Sequence, residues 1–144
     1  MPEGFAAMYK KLNAIKKITR IFNRVKRRLP STYPQPSLVL HMSEEELRKY
    51  YYDCTDGGTG YEGYPAYDPY AFCDGSCTTV HMPVDMNESA KGIARVILHE
   101  IGHLYALQRY GESDPRWSIP GVAEPYADRF AARWLRRLVG EGWF

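Results

Sequence analysis

At 144 residues, with 44% hydrophobic and 25% charged side chains, the chain has the length and composition of one soluble globular domain. It holds no apolar run near the roughly eighteen residues of a membrane span and no uninterrupted apolar segment at its start, so no membrane span and no secretory signal are expected, and the chain is read as intracellular, in the cytoplasm. The net charge of +2 hides a split: residues 1–30 carry nine Lys/Arg and one acid (+8), residues 31–144 ten Lys/Arg and sixteen acids (−6).

Residues 4–29 read as one long helix. Phe5, Met8, Leu12, Ile15, Ile18, Phe22, Val25 and Leu29 recur at spacings of three and four, and Lys and Arg fill the other faces. Pro30 stops it. The plain expectation is an apolar stripe packed on the domain with a solvated basic face. The alternatives are docking to nucleic acid, to anionic lipid or to a partner protein, or a self-inhibitory segment. A proline-rich connector, 31–37, follows, and residues 38–42 read as a short strand containing His41. Ser43 with Glu46 three residues on forms a capping box for a helix running to about Tyr52.

Residues 53–66 hold Gly57, Gly58, Gly60, Gly63 and Pro65 and read as a loop. Residues 67–72 and 78–82 read as two strands of a hairpin, with Asp74-Gly75 in the turn. In the second strand Val80 and Met82 alternate with Thr79 and His81, which predicts one face in the core and the other outward. Pro83 ends it, as in an edge strand. The cysteines Cys54, Cys73 and Cys77 do not have the spacing of a structural zinc knuckle. They are expected as free thiols, with a Cys73–Cys77 bridge, or one cysteine as an inhibitory fourth ligand to a metal, as alternatives.

Asp85 and Glu88 have the spacing of a second capping box, opening a helix over about 87–110 that Gly111 ends. This helix carries His99-Glu100-Ile101-Gly102-His103, of the form H-E-x-x-H. Residues four apart share a helix face, so His99 and His103 can offer two imidazoles to one ion, with Glu100 beside them in reach of a metal-activated water. The flanking Val96, Ile97, Leu98, Ile101 and Leu104 predict a buried helix. A final helix spans about 122–139, with Pro125 in its first turn. It carries Glu124 and Asp128, an E-x-x-x-D pattern about twenty residues past the first motif. Glu124 suits a third ligand, and Asp128, one turn on, suits the free ring nitrogen of a ligating histidine. One zinc ion per chain is the implied cofactor.

With H-E-x-G-H followed by Glu124-x-x-Ala127-x-x-Phe130-Ala131, the chain resembles the gluzincin metallopeptidases, in particular the compact ImmA/IrrE type. The resemblance implies an α+β, zincin-like fold over residues 31–144: a small mixed sheet whose edge strand lies on the H-E-x-x-H helix, and a C-terminal helix bringing the last ligand. It implies His99, His103 and Glu124 as zinc ligands, Glu100 as general base, Asp128 as the acid behind the first histidine, and Thr78, Thr79, Val80, His81 and Met82 as the strand that binds an extended peptide or protein substrate. A further donor must meet the oxyanion of peptide hydrolysis; Tyr126, Tyr105, Tyr110 and His81 are candidates. The expected activity is zinc-dependent peptide hydrolysis. The alternative is a latent or inactive zincin fold acting on nucleic acid or a partner protein through residues 1–30.

Overall fold

The computed structural model describes residues 3–54 and 71–144. In chain order they form α1 (Glu3–Arg28), β1 (Ser37–His41), α2 (Glu44–Cys54), β2 (Phe72–Asp74), β3 (Thr79–Pro83), α3 (Ala90–Tyr110), α4 (Pro115–Ser118) and α5 (Pro120–Gly140). The architecture is α+β: five helices and one three-stranded mixed sheet among the described residues. The expected loop at 53–66, most of the expected strand at 67–72 and the state of Cys54 lie outside what the structure describes. Cys73 and Cys77 are free thiols.

The strand order is β1-β3-β2, with β1 parallel and β2 antiparallel to β3. The register aligns Leu38, Val80 and Cys73 on one face and Val39, His81 and Phe72 on the other. On the first face Val80 and Met82 join a core built from Ile18, Phe22, Val25 and Leu29 of α1 and its flank, Ile93, Ile97, Leu98 and Ile101 of α3, and Phe130, Trp134 and Leu138 of α5. The second face is covered by α2. Its Leu47 is fully buried, and its Tyr50 ring stacks on His81 and meets His41 at a tilt.

This arrangement corrects two expectations for 78–82. His81 does not face outward: it is only 3% exposed, because α2 closes the second face. Nor is the strand an edge, since β1 lies on one side of it and β2 on the other. Pro83 is tolerated there for a local reason. The Val84 N–H donates to the His41 carbonyl (2.8 Å), so the neighbouring Pro83 nitrogen points to the opposite side. On that side, among the described residues, β2 reaches only as far as His81, through Phe72.

Helix ends follow side-chain chemistry with one exchange. Ser43 Oγ accepts from the Glu46 N–H (3.1 Å), as its spacing predicts. Asp85, however, does not cap α3: its carboxylate accepts from the Glu44 N–H (2.9 Å) at the start of α2. The α3 cap is Ser89, whose hydroxyl accepts from the Gly92 N–H (3.1 Å). α5 begins at Pro120, earlier than the pattern predicts, so Pro125 lies inside the helix and not in its first turn.

Candidate metal centre

Two helices build the site. The buried α3 presents His99, Glu100 and His103, and α5 crosses it and presents Glu124 and Asp128. The crossing is close because residue 102 is glycine. A Cβ there would lie 3.0 Å from Phe130 Cδ1 and 3.1 Å from Phe130 Cβ, tighter than ordinary packing allows. Gly102 therefore sets how near Glu124 comes to the two histidines.

The ligand atoms converge. His99 Nε2 lies 2.9 Å from Glu124 Oε2, His103 Nε2 lies 3.1 Å from Glu124 Oε1, and the two Nε2 atoms are 3.1 Å apart. These three residues form a group that could hold a metal ion, with their donor atoms all within 4.8 Å of one another. Asp128 Oδ1 sits 2.9 Å from His99 Nδ1. A carboxylate there takes the Nδ1–H and leaves the Nε2 lone pair turned toward His103 and Glu124. The expected pairing of Asp128 with the first histidine is thus in place.

The electrostatics of the cluster favour a cation at its centre. Burial works to lower the His99 pKa, but the hydrogen bond to Glu124 and the charges of Glu100, Glu124 and Asp128 outweigh it and hold it at about 9. Hydrogen bonds from His103 and His99 hold the Glu124 carboxyl far below the usual range. Glu100 is 6% exposed, and burial pushes its carboxyl up against the opposing pull of His103 and His99. A proton and a metal ion satisfy the same demand here, positive charge among three lone-pair donors.

One neighbour was not anticipated in this role. Cys73 of β2 lies on the helical side of the sheet, in register with Val80, and near Glu100; burial and then the Glu100 charge push its thiol well above its ordinary value, so it stays protonated. Among the described residues Cys73 is not part of the group formed by His99, His103 and Glu124. The alternation of β2 carries the signal, since Cys73 pairs with the fully buried Val80.

The other candidate donors have partners of their own. Tyr126 follows Glu124 by two residues, about 200° round the helix, and its ring meets Tyr110 edge-on, centroids 6.1 Å apart; burial and then Tyr110 push its pKa up to about 12. Tyr110 is covered by the Arg116 guanidinium, 3.2 Å above its ring. Tyr105 packs between Tyr33 and Phe130. Both ring nitrogens of His81 are occupied, Nδ1 by His41 Nε2 (2.9 Å) and Nε2 by Thr79 Oγ1 (3.1 Å). Thr78 closes the hairpin with φ 51°, and Val80 and Met82 are core residues.

No family model matches the chain, and no curated protein or solved structure matches it either.

Proposed function

We propose that the chain is a zinc-dependent peptidase of zincin-like fold, with His99, His103 and Glu124 as ligands and Glu100 as general base. The observation that carries the reading is the convergence of two imidazole nitrogens and a carboxylate at 2.9–3.1 Å, backed by Asp128 on the outer nitrogen of His99. Tetrahedral zinc, about 2.0–2.1 Å from nitrogen and oxygen donors, requires donors roughly 3.3 Å apart, so a slight opening of the cluster admits it. Two imidazoles and a carboxylate are also the ligand set of a hydrolytic zinc, which leaves a position for water or substrate.

Zinc, when bound, supplies the Lewis acidity that activates water and polarises a carbonyl. Glu100 is the base: buried beside the ligands, its carboxylate takes the proton from the attacking water and returns it to the leaving amine. Asp128 holds the His99 ring in one tautomer and one orientation. An extended peptide adds not to β3, which is paired on both sides, but to β2, the outer strand nearest Glu100 among the described residues.

Metal content by mass spectrometry on native protein tests the first half of this reading. About one zinc per chain is expected, lost in His103→Ala and kept in Glu100→Gln. Peptide-library digestion tests the second half, with cleavage by the parent and none by Glu100→Gln. A parent that takes up no metal, or a Glu100→Gln protein that cleaves as well as the parent, overturns it.

A further inference from the structure

The apolar stripe of α1 has two fates. In the second half of the helix Ile18, Ile21, Phe22 and Val25 are buried in the core. In the first half Phe5, Met8, Tyr9 and Leu12 are 47%, 50%, 54% and 46% exposed, and every residue from 4 to 13 is exposed. Positions i, i+3, i+4 and i+7 lie on one helix face, so these four side chains form a continuous apolar row on a helix that extends beyond the domain. Exposed Lys10, Lys11, Lys16 and Arg20 accompany the row, and Glu3 is the one acid in residues 1–30.

We infer that this half of α1 lies on an anionic lipid surface, its apolar row in the boundary between headgroups and acyl chains and its lysines among the headgroups. Charge selects this occupant. A second copy docking helix to helix would bring lysine rows together with almost no acid to pair them, and its more acidic remainder, residues 31–144, would pair the lysines without covering the apolar row. Nucleic acid would satisfy the lysines but leave four large apolar side chains against phosphate. A lipid surface satisfies both, since the row buries apolar area while Lys stems reach outward to anionic headgroups. The helix lies on the bilayer and does not cross it, because no described helix is long and apolar enough to span one.

Flotation of the full-length protein with phosphatidylcholine vesicles, with and without phosphatidylserine, tests the inference. Two variants touch only exposed positions and leave the core and metal cluster alone: Met8→Ser with Leu12→Ser, and Lys10, Lys11 and Lys16 all to Gln. The parent is expected to float with phosphatidylserine vesicles alone, and raised salt should weaken binding by about tenfold or more. Each variant should lose most of that binding while circular dichroism stays unchanged. Three results overturn the inference: no binding to anionic vesicles, binding that both variants retain, or self-association in lipid-free sedimentation that the Met8/Leu12 variant abolishes. Tight binding to duplex DNA by the Met8/Leu12 variant, with no vesicle binding by the parent, would assign the helix to nucleic acid instead.

Discussion

Single side chains divide the molecule into a centre that demands positive charge and a sheet face that refuses it. Asp128 touches the centre only through His99 Nδ1, so Asp128→Ala should weaken metal affinity by about 10–100-fold without removing a ligand. Competition with a chromophoric chelator reads this, and an unchanged affinity would show that the His99 ring needs no such support. On the other face His81 is kept neutral: burial and then the neighbouring His41 lower its pKa to about 4, against the pull of Asp74. The unfolded chain binds that proton near 6.5, so between about 6.5 and 4 the unfolded state carries more protons than the folded one. Stability from this group is therefore present above the window and lost as pH falls through it, on the order of 3 kcal/mol in all. Urea unfolding of the parent and His81→Phe, both in chelator, should show the parent losing more stability between neutral pH and about pH 4. Parallel losses would place the acid sensitivity elsewhere. His99, Glu100 and His103, and then Glu124 and Asp128, were legible in the sequence because helical spacing puts each set on one face of its own helix; that the two sets meet depends on the packing of α5 on α3. The positions of His81 and Cys73 were not legible, because each depends on which helix covers which face of the sheet.

At the scale of elements, the group of His99, His103 and Glu124 that could hold a metal forms because α5 lies hard against α3, and Gly102 is where they meet. Gly102→Ala forces a methyl group against Phe130, whose ring and Cβ lie 3.0–3.1 Å from the position it would take. The expected cost is about 1–3 kcal/mol, and since α5 carries Glu124, weaker metal binding should accompany it. Thermal unfolding with and without metal reads both effects; a variant as stable as the parent, with intact affinity, would mean the helices are not held at this distance by Gly102. The same scale shows where local patterns mislead. The spacing of Asp85 and Glu88 matches a capping box, yet Asp85 caps α2, brought to Glu44 by the pairing of β1 with β3, and Ser89 caps α3. Ser89→Ala should accordingly cost about 1 kcal/mol through α3. A cap is local chemistry, but which helix an aspartate caps is decided by strand pairing, and parallel pairing across a long connection leaves little trace in local sequence. For the same reason Pro83 suggested an edge, although β1 pairs alongside it.

For the whole molecule, the two halves of α1 have different surroundings. The helical period is uniform along that stripe, so the sequence shows an amphipathic helix without showing where it leaves the body of the protein. The second half is structural. Phe22 is 2% exposed and Val25 fully buried, Arg24 lies over the Trp143 ring at 4.0 Å, and Arg28 pairs with Glu141 at 2.7 Å, so the helix is tied to the chain end as well as to the core. Among the described residues the first half makes no comparable contact, with Leu12 46% exposed. Two substitutions on one stripe should therefore part sharply. Phe22→Ala should cost about 3–5 kcal/mol by opening a cavity, whereas Leu12→Ala should fall within about 0.5 kcal/mol of the parent. Urea denaturation of the two variants in lipid-free buffer reads the difference directly. Equal losses would mean that the first half of α1 is packed in solution, whether on the domain or on a second copy, and would remove the free surface on which lipid docking depends. The expected contrast would also explain how basic charge can concentrate in residues 1–30 without weakening the fold, since much of it rides on a helix face that the core does not use.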